Sequence, residues 1–171
     1  MNNNRPKIKI PLQTIDIAIE LVSITLLILM WLHVILEYNN LPDTIASHFN
    51  SSGQLDNYSS KLFVWLMPCL ATLMYGGLFY LNRFPHLYNY MVNITEHNAF
   101  KHYQFSTRVL RIVNMLCMLL LAYISYHIIT VAENESTSLG NGFLFTVIGF
   151  SILLPVVLLI YQKKLNKTEK H

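Results

Sequence analysis

Charge is scarce in this chain. Only 12 % of its 171 residues are Asp, Glu, Lys or Arg, against roughly 25 % in an ordinary soluble domain. Hydrophobic residues make up 53 %. A soluble chain of this length has too little interior to hide so much apolar surface, which excludes an ordinary water-soluble globule. Cysteine is nearly missing too. Cys69 and Cys117 both lie inside apolar runs, which suits small packing residues. No disulfide framework and no paired-cysteine metal site can be built from them. An H-E-x-x-H spacing, an internal repeat and a low-complexity linker are all absent. No small-residue cleavage pattern follows Leu36, and the first apolar stretch is too long for the core of a signal peptide.

What the chain does have is four apolar runs of about 20 residues each, the length that crosses a hydrocarbon core. They place helices at about 15–38, 62–81, 112–132 and 143–161. The expected fold is all-α, a polytopic membrane protein with one four-helix domain over 15–162. A basic N-terminus (1–14) and a basic tail (163–171) flank it. Pro68 is expected to kink the second helix, Gly76-Gly77 to loosen it or admit a neighbour, and Thr72/Gly76 to form a small-xxx-small pair. Eleven of the twelve lysines and arginines fall on the side of the N-terminus, the middle loop and the tail; only Lys61 falls on the other. By the positive-inside rule both termini are cytoplasmic and the 41–61 loop is outside. A bacterial inner membrane, crossed several times, is the expected location.

Asp16 and Glu20 stand in the first turns of the first helix, where carboxylates suit the helix dipole and the interface. From Glu96, with Thr95 as N-cap, the pattern turns helical ahead of the third apolar run. Phe100, Tyr103, Thr107 and Leu110 share one side. Lys101, Gln104, Arg108 and Arg111 share another. Lys101, Arg108 and Arg111 are therefore expected to face anionic headgroups. His86, His97 and His102 belong to the same end. Five Asn-x-Ser/Thr sequons occur and are read as chance.

The one polar stretch that looks specified residue by residue is LPDTIASHFNSSGQLDNYSSK, Leu41 to Lys61. Pro42 sets its backbone and ends the first helix. Gly53 supplies a conformation with positive φ. Asn50, Ser51 and Asp56 suit bonds to nearby amides. Tyr58 suits the membrane interface. The pattern LP-D-x-I-x-x-HFN-x-S-G-x-x-D-x-Y-x-x-K resembles the signature of a family of bacterial membrane proteins, domain of unknown function 1648. That family is related to the N-terminal part of the SdpI-type immunity proteins. The likeness extends over roughly Leu21 to Tyr126 and includes Asn89, Tyr90, Thr95, Asn98, Tyr103 and Arg108. Ala46 and Leu55 stand where the family usually has proline. The chain stops after four apolar runs, where SdpI-type proteins continue. The resemblance implies an ordered outer loop and, more distantly, immunity to a peptide toxin.

Two uses of the loop are open. Pro42, His48, Asn50, Gly53, Asp56, Tyr58 and Lys61 either staple the loop to itself or form a recognition surface. Alternatively, His33, His48 and His127 assemble a metal site, zinc being the ion such imidazoles suit, with Glu37, Asp43, Asp56, Glu133 and Glu135 nearby in sequence. The expected role is non-enzymatic: sensing, immunity-like shielding or support of a partner, with no cofactor. The rivals are a small transporter or channel subunit, for which His33, Asn114 and His127 are the obvious polar residues, and a metal-dependent membrane enzyme. The partners expected are the lipid bilayer and another membrane protein or peptide at the outer face, and no nucleic acid.

Overall fold

The computed structural model describes residues 5–50 and 55–133, and beyond them scattered positions between Gly142 and Leu159. Three helices in it are long and apolar enough to cross a membrane. Helix α1 runs from Thr14 to Glu37. The second crossing begins as a 3-10 turn, Lys61–Trp65, and continues as α2, Leu66–Leu81. Helix α3, Ala99–Glu133, is 35 residues long, about 52 Å at 1.5 Å per residue. That exceeds the ~30 Å hydrocarbon core, so α3 absorbs both the amphipathic stretch and the third apolar run. The fourth helix expected at 143–161 falls largely outside the described residues. Its described positions are helical, and Phe145, Ile148, Ile152, Val156 and Leu159 are exposed there.

Helix α3 is central: it packs on both α1 and α2, which touch each other little. The buried positions of α1 are Asp16, Ile19, Ser23, Leu27, Met30 and Val34, steps of three and four that keep one narrow stripe inside. Helix α3 answers with Tyr103, Thr107, Asn114, Met118, Leu121, Ser125 and Ile128. Polar residues therefore lie in the buried seam. Leu21, Leu29, Leu36, Leu66 and Leu73 are exposed. This inside-out distribution is what lipid, not water, rewards. Hydroxyls in the helices bond back to carbonyls one turn earlier: Ser23 to Ile19 (2.8 Å), Thr72 to Pro68 (2.7 Å) and Thr107 to Tyr103 (2.8 Å). Such bonds leave no donor facing lipid.

Several local expectations are corrected. Pro68 stands where the second crossing passes from its 3-10 turn, Lys61–Trp65, into α2, as the third residue of α2; its missing N–H falls at that change of helix type. A Cβ built on Gly76 or Gly77 meets nothing within 4 Å, so neither admits a close neighbour among the described residues. The Thr72 hydroxyl instead accepts from Trp31 Nε1 at 3.0 Å, tying α2 to α1. Pro42 lies five residues past the end of α1. The helix closes on a turn in which Asn40 N–H donates to the Glu37 carbonyl (2.9 Å) and Asn40 Nδ2 to the Glu37 carboxylate (3.1 Å). Helix α3 starts at Ala99, after Asn98, whose side-chain oxygen accepts from Thr95 N–H at 2.9 Å. Thr95 is thus part of the entering turn and not the cap.

The segment read as a loop is a β-hairpin, so the fold is mostly helical with one β-element. Strands β1 (Thr44–Phe49) and β2 (Leu55–Ser60) pair antiparallel, Thr44 with Ser60, Ile45 with Ser59 and Ala46 with Tyr58. The register then shifts on either side of His48, which pairs with Asn57. Ser47 on β1 and Asp56 on β2 are each left without a register partner, irregularities of the kind that re-aim side chains and twist a strand.

Candidate functional site

The hairpin stands on an apolar floor. Leu41, Ile45 and Val64 join Val34 of α1 and Ile128 and Ile129 of α3 in one buried cluster, with Tyr38, Phe63 and Trp65 packed against it. Trp65 lies 5.9 Å from Trp31 and 5.3 Å from Tyr38, ring centre to ring centre. Aromatic rings of this kind gather at membrane interfaces. Lys61 closes the base of the hairpin. Its N–H donates to the Asp43 carbonyl (2.9 Å), its ammonium pairs with the Asp43 carboxylate (3.2 Å), and the same ammonium sits over the Tyr38 ring.

The other face of the hairpin points away from the helices. His48 Nδ1 meets Asp56 Oδ1 at 2.5 Å, with the two side chains 67 % and 41 % exposed. Tyr58 is exposed beside them. A cleft of about 600 Å³ separates this hairpin from the end of α3, with Pro42, Thr44, Leu55, Tyr58 and Glu133 on its walls. Glu133 stands beside Glu37 and His33. The hairpin end is therefore acidic at its surface: Asp43, Asp56, Glu37 and Glu133 against Lys61.

Of the residues singled out in the loop, His48, Asp56, Tyr58, Pro42 and Lys61 thus sit on or at the base of the hairpin. Asn50 follows β1. Gly53, and the amides near it that Asp56 was expected to bind, lie outside the described residues. The metal set is not brought together. His48 turns to Asp56, His33 stacks on Tyr126 (5.6 Å) and His127 meets Tyr123 edge-on (4.4 Å). Among the described residues no three His, Cys, Asp or Glu side chains stand where they could hold one ion. Asn114 is buried between the helices, its amide directed at the Tyr75 carbonyl at 3.5 Å.

The opposite end of the helices holds the second polar constellation, and it gives two arginines of the basic segment partners on α1. Arg108 and Arg111 both reach α1, where each meets a carboxylate. Arg108 Nε lies 2.9 Å from Asp16, which is 2 % exposed, and Arg108 also bonds the Gln13 side chain. Asp16 in turn accepts from Gln13 N–H at 3.0 Å, closing the first turn of α1. One turn on, Arg111 pairs with Glu20 at 3.3 Å, and Tyr75 of α2 donates to the same carboxylate at 3.4 Å. Asn82 Nδ2 donates to the Thr107 carbonyl (3.2 Å). Lys101 is half-buried.

The N-terminal segment is pinned across this end. Arg5 donates to the His86 and Tyr88 carbonyls and stacks over Tyr90. Ile10 packs on a cluster of Ile94, Ala99 and Tyr103. Burial pushes the Tyr90 phenol up to about 12 and raises the Tyr88 phenol too. Both remain neutral donors, Tyr90 to the Pro85 carbonyl (2.8 Å) and Tyr88 to the Leu81 carbonyl (3.1 Å).

Sequence reasoning missed the pairing of α1 acids with α3 bases. A signal was present: Asp16 and Glu20 share a stripe with Ser23, and Arg108 and Arg111 share one with Thr107 and Asn114.

Comparison with known proteins gives a family of unassigned role. Residues 25–81 match the model of the family described as Domain of unknown function (DUF1648). The match takes in most of α1, the whole hairpin and α2. An uncharacterized protein of Archaeoglobus fulgidus is 27 % identical over 63 residues, which is 37 % of this chain and 34 % of that protein. The chain thus matches about a third of that relative's length. No solved structure matches.

Proposed function

We propose that the DUF1648 segment, residues 25–81, is a membrane-anchored presenting element with no catalytic task. Its hairpin displays a recognition surface outside the cytoplasmic membrane of the cell, in a sensing, immunity-like or accessory role. One observation carries this reading. Ile45 and Leu41 bury the inner side of the hairpin in the helical floor, while the His48 and Asp56 side chains, and Tyr58 on the wall of the cleft beside α3, are left exposed. The His48–Asp56 pair joins the two strands, but an exposed pair adds little to stability, which leaves these side chains available to a partner. The orientation rests on the placement of lysine and arginine: both termini lie inside and the hairpin outside. The acidic surface at this end favours a partner of basic character, a peptide or the exposed segment of another membrane protein. The unpaired edges of a two-stranded sheet would let such a segment add a strand.

The test is photo-crosslinking in the native cell from an unnatural residue at Tyr58. The reading expects a discrete adduct. It should vanish with His48→Ala and Asp56→Asn while the unfolding midpoint of those variants stays at the wild-type value. Adduct formation that ignores both substitutions, or loss that tracks unfolding, would return these residues to a purely structural part.

A further inference from the structure

At the end away from the hairpin, a second cleft of about 650 Å³ opens between the N-terminal segment, the last turn of α2 and the side of α3. Its wall carries three cations, Lys9, Arg83 and Arg111, against one carboxylate, Glu20. Glu20 is already shared between Arg111 and the Tyr75 hydroxyl. Arg111 Nε is shielded from solvent yet has no well-aligned acceptor. Among the described residues, neither Lys9 nor Arg83 is ion-paired. The Arg83 guanidinium rests over the Phe79 ring, 5.3 Å from its centre. The rest of the wall is largely apolar: Ile8, Ile10, Leu12 and Phe79.

An excess of fixed cations beside an apolar wall, at the end of membrane-spanning helices, is the arrangement that takes an anionic headgroup. The neighbouring Asp16–Arg108 pair is nearly closed to solvent and neutral in sum, so the two-charge excess belongs to this cleft. Arginine forks suit phosphate oxygens better than point charges do. We infer that this cleft binds a phosphate-bearing anionic amphiphile, its headgroup between Lys9, Arg83 and Arg111 and its chain along Ile8, Ile10 and Phe79. The site is separate from the hairpin. It requires only that the helices span a membrane, whichever way the chain faces.

Full-length protein in a neutral detergent is titrated with phosphatidylglycerol, with phosphatidylcholine and with inorganic phosphate, read by native mass spectrometry and by thermal shift. The expected result is one retained phosphatidylglycerol per chain and an upward thermal shift, with no such retention of phosphatidylcholine. Lys9→Gln with Arg83→Gln, both exposed positions outside the ion pairs, should weaken retention roughly 10- to 30-fold. Lys7→Gln, a cation outside the cleft, should change little. Equal retention of the two lipids overturns the proposal. So does an equal loss with Lys7→Gln, which would mean diffuse surface attraction. Stabilisation by inorganic phosphate alone, without retention of phosphatidylglycerol, overturns the amphiphile and leaves a free-phosphate site.

Discussion

The two ends of this molecule use charge in opposite ways. At the hairpin end the floor is apolar and the ion pairs ride on the surface: His48–Asp56, and Lys61–Asp43, whose aspartate is 96 % exposed. At the other end the pairs go between the helices, with Asp16 at 3 % and Glu20 at 20 % side-chain exposure. An exposed pair contributes about 0–1 kcal/mol. Removing one partner of a shielded pair costs several kcal/mol, because the other charge is left uncompensated. The charged residues of the hairpin end therefore carry little of the stability, whereas those of the other end hold α1 against α3.

The comparison breaks most readily at Arg108. Arg108→Gln strands the carboxylate of Asp16 and is expected to destabilise by about 3 kcal/mol in equilibrium unfolding. Adding Asp16→Asn should recover most of that loss. If the single variant unfolds like wild type, the pair holds nothing. Next in size is Ile45→Ala, which empties the floor under the hairpin and should cost about 2–4 kcal/mol. Hydrogen exchange at the β1 amides should rise with it, and unchanged exchange would mean that the hairpin does not depend on this contact. Trp31→Phe keeps an aromatic ring, though a smaller one, and loses the donor to Thr72, worth about 0.6 kcal/mol for a typical interhelical bond in a membrane. Smallest of all is His48→Gln combined with Asp56→Asn, expected to shift stability by less than about 0.5 kcal/mol. A loss comparable to that of Arg108→Gln would erase the contrast between the ends.

Most of the helical frame was legible in the sequence. Helix α1 at Thr14–Glu37 and the crossing that ends at Leu81 lie within a few residues of the expected spans, because an apolar run of bilayer length has few other uses. The continuity of the amphipathic stretch with the third run was legible for the same reason, since no breaker stands between Ala99 and Glu133. The hairpin was not. TIASHF has β-branched residues only at Thr44 and Ile45, and LDNYSS has none, so the strand signal is weak beside the turn residues around Gly53. What makes them pair is the floor offered by Val34, Val64 and Ile128, a tertiary contact with no local trace. The direction of Arg108 and Arg111 was hidden in the same way. On one helix they read as a basic face, and only the partner 92 residues away shows what Arg108 meets. The carboxylates at 16 and 20, about one helical turn apart as are the arginines they meet, were the available clue.

Placement of the two ends on opposite sides of a membrane is tested most directly by impermeant thiol labelling of single cysteines. With Cys69 and Cys117 replaced by alanine, cysteine is placed at Asn57 on the hairpin and, separately, at Met91 in the connection before α3; both positions are exposed. The expected result is that Asn57→Cys is labelled on intact cells and Met91→Cys only after permeabilisation. Labelling of both from the same side, or of Met91→Cys alone from outside, would contradict it.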